Sequence, residues 1–98
     1  MGENQMLNGS TVLRVPELVL MRKVHDEVVL LDMASEQYFG LDAVGACVID
    51  AIQGGADVDG AVVAVVDAFD AQEDRIRTDV LALVEELVAA GLLIVTPT

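Results

Sequence analysis

The hydrophobic pattern of this chain changes period at Asp42, and that change constrains the fold more than any other feature. Up to that point, apolar and β-branched residues fall into short extended runs: Leu18 to Val24, Val28 to Met33 and Gln37 to Leu41. The polar breaks His25-Asp26-Glu27 and Ala34-Ser35-Glu36 are short enough to be hairpin loops, so the runs predict a three-stranded antiparallel meander. After Asp42 the apolar residues recur at helical spacing. Asp42 is an N-cap for a helix from Ala43 to about Gln53, which Gly54-Gly55 ends. Asp57 caps a second helix, Val58 to Phe69, with Val62, Val65, Val66 and Phe69 on its core face. Asp70 followed by Glu73 has the spacing of a reciprocal cap and opens a third helix reaching Ala90, closed by Gly91. Leu92 to Val95 is a short extended tail before Pro97. The fold class is therefore α+β: a three-stranded antiparallel sheet followed by three helices.

A chain of 98 residues supports one hydrophobic core and not two. Residues 1–11 are polar and aperiodic, which predicts a disordered N-terminal segment ahead of a single domain over residues 12–98. A composition that is 54% hydrophobic argues against disorder in the remainder. Seventeen carboxylates against five basic residues leave a formal charge of −12, which repels phosphate backbones and anionic membrane surfaces. The longest apolar run, Leu87 to Ala90 continuing past Gly91 to Val95, is far shorter than a membrane-spanning helix needs. Nucleic acid and membrane are thus not expected partners. The N-terminus has no signal-peptide pattern, and Cys47 is the sole cysteine, so a cytoplasmic location is expected.

Two features point to a binding surface. In the third helix, Ile76, Val80, Leu83 and Leu87 form one apolar stripe, and Arg77, Leu81, Val84 and Val88 repeat the spacing one residue along. A core needs the first stripe; the second packs under the neighbouring helix, in a homodimer, or against a guest. The strand Gln37-Tyr38-Phe39-Gly40-Leu41 is an edge if the strands pair in chain order. An edge offers backbone donors and acceptors to an added strand. The candidate peptide-binding residues are accordingly Gln37, Tyr38, Phe39, Gly40 and Leu41 with Arg77, Leu81, Val84 and Val88. Arg77 can pair with a guest carboxylate or with Glu73 one turn back.

No constellation suggests catalysis. His25 stands in a turn without a nucleophile or second ligand around it, and Cys47 on the first helix lacks a neighbouring base. The carboxylates Asp57, Asp59, Asp67, Asp70, Glu73 and Asp74 lack the order of a calcium loop and read as helix caps. Gly54-Gly55 has no following Lys-Ser/Thr and is a helix stop rather than a phosphate loop. The expectation is a binding module with no enzyme activity, no metal site and no cofactor.

The ordered set Val29-Leu30-Leu31-Asp32, Gln37-Tyr38-Phe39-Gly40-Leu41-Asp42 through Ala46, and Asp79-Val80, Leu83, Leu87, Gly91-Leu92 resembles the PqqD-like proteins, the RiPP precursor peptide recognition elements. The resemblance covers residues 13–95. Val48-Ile49 departs from it, since many members carry Ile-Trp there. It implies a winged-helix-like fold that binds the leader of a ribosomally made precursor peptide and delivers it to a maturation enzyme or leader protease. It also implies that the leader adds to the strand Gln37 to Leu41, opposite Arg77, Leu81 and Val84. The cap region looks closest to stand-alone lasso-peptide biosynthesis proteins. The alternatives are a PqqD-type chaperone of pyrroloquinoline quinone biosynthesis and a structural dimerisation module.

Overall fold

A computed structural model describes residues 7–25 and 27–96. Residues 1–6 of the expected N-terminal segment, Asp26 of the first turn and Pro97 lie outside the described residues. The elements run β1 (Leu13–Arg14), β2 (Val19–Val24), β3 (Glu27–Asp32), β4 (Gln37–Leu41), α1 (Ala43–Gln53), α2 (Val58–Phe69), α3 (Glu73–Ala89) and β5 (Ile94–Val95).

The meander forms as its pattern predicts, in the order β2-β3-β4, each pair antiparallel. His25, at φ 59°, supplies the left-handed residue that a tight hairpin requires between β2 and β3. One sheet face, carrying Val19, Val28, Leu30 and Leu41, is buried. It closes on α1 through Val48 and Ile49 and joins one cluster with Val62, Val65, Val84 and Leu87. Each fully buried side chain of this kind contributes about 1.5–3 kcal/mol. Among the described residues no polar or charged side chain is buried, so the core is aliphatic throughout.

Two helix starts use the same device. Asp42 accepts the Gly45 N–H at 2.9 Å, and Asp57 accepts the Gly60 N–H at 2.8 Å. Gly45 also lets α1 approach β4: a Cβ built there would stand 2.9 Å from the Leu41 Cβ. The short Asp42 junction therefore fixes β4 against the first turn of α1.

Three expectations are corrected. Residues 7–11 join the fold instead of hanging free: the Gly9 carbonyl takes the Asp59 N–H at 2.9 Å and the Thr11 carbonyl takes that of Val58 at 3.0 Å. These are orphan donors of the first turn of α2, and the N-terminal backbone satisfies them. The short extended tail expected over Leu92 to Val95 forms at Ile94–Val95, which pairs with Leu13–Arg14 in a two-stranded ladder apart from the main sheet. Asp70 is not the N-cap of α3. It ends α2 in the left-handed conformation (φ 51°, ψ 49°), which a short polar side chain tolerates, while Gln72 precedes α3 without a side-chain cap. Phe69, expected in the core, is 42% exposed as the last residue of α2.

Candidate functional site

β4 pairs with β3 on one side and has no strand on the other among the described residues. The directions of its backbone groups follow from the register. The Met33 N–H donates to the Leu18 carbonyl at 2.9 Å, so Met33, and by alternation Leu31 and Val29, point toward β2. Asp32, Leu30 and Val28 therefore point toward β4, where they face Gln37, Phe39 and Leu41. The intervening residues Tyr38 and Gly40 direct their N–H and C=O groups to the open edge. Of the five strand residues expected to bind a peptide, these two present free backbone at the edge, while Phe39 is half-buried and Leu41 buried in the core.

α3 borders the start of this edge. Its buried line is Ile76, Val80, Val84 and Leu87. At about 100° per residue, Arg77, Leu81 and Val88 lie to one side of that line and Leu83 and Ala90 to the other. The first side faces α2, because the Arg77 guanidinium donates both to Asp59 on α2 and to Glu73, the latter at 3.0 Å. Asp59 first and Glu73 second hold that guanidinium above its ordinary range. The second side borders β4: Ala90 and Leu92 line a cleft of about 40 Å³ with Asp32, Gln37, Tyr38 and Phe39. Arg77, Leu81, Val84 and Val88, expected to wall the edge, are thus placed otherwise. Val84 is fully buried, Arg77 is bonded to Asp59 of α2, and the residues at the end of α3 that line the cleft beside β4 are Ala90 and Leu92.

The outer face of the sheet is apolar and uncovered. Leu20, Leu31 and Tyr38 stand in one row across the three strands, and Arg22, Val29 and Gly40 in the next. Leu20 and Tyr38 are 51% and 76% exposed. Leu20, Arg22, Val29, Leu31 and Tyr38 surround a depression of about 420 Å³.

This geometry accompanies a family match. The profile of Coenzyme PQQ synthesis protein D (PqqD) matches residues 27–93, from the first residue of β3 to the residue before β5. The chain belongs to the PqqD family. Two solved structures share the fold of this PqqD-family chain. TbiB1 in complex with the TbiA(beta) leader peptide superposes with a TM-score of 0.76 at 28% identity, over 82% of this chain and 93% of that one. Lasso peptide synthetase B1 complexed with the leader peptide gives 0.75 at 20% identity, over 84% and 96%, a likeness that carries the fold alone. No curated protein matches the chain.

Among the described residues the remaining polar groups give no competing site. A hollow of about 670 Å³ lies at the far end of the β2–β3 hairpin beside α1 and α2, lined by Lys23, His25, Cys47, Asp50 and several alanines. Lys23 and Asp50 form an exposed ion pair there at 3.4 Å, His25 is exposed, and Cys47 is half-buried. Burial first, and the neighbouring Asp50 second, push the Cys47 thiol up, which disfavours the nucleophilic thiolate. Among the described residues no group of three potential ligands converges as a metal site would require, and no helix is long and apolar enough to cross a membrane.

Proposed function

We propose that this domain captures the leader of a ribosomally synthesised precursor peptide by strand addition at β4 and presents it to a maturation enzyme or leader protease in lasso-peptide biosynthesis. One observation carries the reading: Tyr38 and Gly40 hold two N–H and two C=O groups at an open edge bordered by Ala90 and Leu92 at the end of α3. A guest strand satisfies all four and extends the meander to four strands. The likeness to TbiB1, whose structure contains a leader peptide, supports this assignment over the quinone pathway that gives the family its name. The domain works by binding, without chemistry of its own, in the cytoplasm where the precursor is translated.

The test is a titration of the isotope-labelled domain with the leader half of the precursor encoded beside its gene. Amides of Tyr38 and Gly40 gain protection from exchange, those of Gln37, Phe39 and Leu41 change little, and resonances of Ala90 and Leu92 shift. Saturating leader that leaves Tyr38 and Gly40 unprotected removes the proposal. Binding of a quinone-pathway precursor in preference to a lasso leader reassigns the pathway while keeping the site.

A further inference from the structure

Gly40 is not explained by the fold. Its φ is not among the positive values of the described glycines, and a Cβ built on it would meet nothing within 4 Å. The sheet therefore accepts a side chain there, and a glycine inside a strand lowers β propensity. Its effect lies on the outer face, where the row Arg22, Val29, Gly40 ends in a gap at the edge. The gap opens sideways into the depression floored by Val29 and Leu31 and walled by Tyr38, Leu20 and Arg22.

We propose that this gap is a side-chain subsite: the guest residue opposite Gly40 carries a large apolar side chain, preferably aromatic, that lies across Gly40 onto Val29 on the outer face of the sheet. The inference rests on strand addition at β4 and deepens it. A strand added to β4 stands about 10 Å from β3, two strand spacings away. A side chain bridging toward Val29 must be long, and any Cβ at position 40 would stand in its path. Aromatic and long side chains have this reach across a sheet, and glycine beside a cross-strand aromatic is a favourable pair because the ring covers the exposed backbone. Tyr38 offers a ring along one side, and the Arg22 guanidinium at the far wall favours the face of an aromatic. The subsite lies on the face opposite α3, so it reads a different set of guest side chains from the cleft at Ala90.

The test uses a phage-displayed library of random 16-residue peptides, selected separately on the wild-type domain and on Gly40→Val. Gly40→Val has room for its side chain and fills the gap; circular dichroism and thermal melting establish that it folds. The guest residue paired with position 40 is identified from cross-strand proton contacts. Wild-type selection is expected to enrich Phe, Tyr, Trp or Leu at that residue, and the selected peptides should bind Gly40→Val at least tenfold more weakly. Selection on Gly40→Val should enrich Gly, Ala or Ser at the same residue. Val29→Asp, which charges the floor without entering the core, should also weaken wild-type-selected peptides tenfold. Peptides that protect Tyr38 and Gly40 yet bind both variants within twofold of wild type overturn the subsite and leave strand addition standing. Failure of every selected peptide to protect those amides overturns both.

Discussion

Replacing Gly45 by alanine sets two opposed effects against each other at the junction that positions β4. Gly45 lies in the third position of α1, where Gly→Ala raises helix propensity by about 1 kcal/mol. The added methyl stands 2.9 Å from the Leu41 Cβ, 3.2 Å from its Cδ2 and 3.4 Å from its Cγ. The nearest of these atoms is fixed by the backbone of β4, and Leu41 is only 5% exposed, so rotation of a side-chain end cannot relieve the contact. Overpacking of a closed site costs about 1–3 kcal/mol. The expected net effect of Gly45→Ala is a loss of about 1 kcal/mol, with β4 displaced from α1. For a urea dependence of about 1–2 kcal/mol per molar, the unfolding midpoint falls by about 0.5–1 M. Amide resonances of Phe39 to Leu41 should move in the same variant. A rise in the midpoint by the same amount, with those resonances unmoved, would mean that helix propensity alone decides and that the β4–α1 approach is loose.

Other variants separate the site from the scaffold. Ala90→Arg, on the exposed end of α3 beside Tyr38 and Phe39, should weaken leader binding at least tenfold by calorimetry. Arg77→Ala, on the opposite flank, should leave binding unchanged and slightly lower the melting temperature at low salt only. Asp42→Ala and Asp57→Ala should each cost about 1 kcal/mol in urea titrations through loss of an N-cap. Cys47 should alkylate with iodoacetamide more slowly at neutral pH than an unstructured cysteine, since its thiolate is disfavoured. Because its folded pKa is raised, the associated stability is full below the unfolded thiol's pKa near 9 and is lost as pH climbs through the folded value.

The strands and helices were legible because each segment's period agrees with its final state. Asp42 and Asp57 each precede a helical pattern, and each caps the expected helix. The Asp70 cap was misread because a short polar residue between two helices suits the end of one as well as the start of the next. The apolar spacings of α3 are ambiguous in the same manner: Ile76-Val80-Leu83-Leu87 and Ile76-Val80-Val84-Leu87 both fit a helix. The packed structure decides for Val84, which is fully buried, and leaves Leu83 half-buried against the core. The pairing of Leu13–Arg14 with Ile94–Val95 joins segments about eighty residues apart and leaves no local trace in a two-residue strand. The edge itself was readable from strand order, but the choice of Tyr38 and Gly40 as its open groups needed the register.

The β1–β5 ladder has a consequence for how the cleft admits a guest. Ala90 and Leu92, which line a cleft of about 40 Å³ with Tyr38, lead through Leu93 into β5. That strand is held by Leu13, Arg14 and the bond from the Thr96 N–H to the Val12 carbonyl at 2.8 Å. Leu13, Leu92 and Leu93 are 2%, 4% and 1% exposed and belong to one core cluster with Leu87, so moving this wall would uncover the core itself. The cleft wall is thus riveted rather than hinged, and a guest meets a surface already in place, with no ordering entropy left to spend on that side.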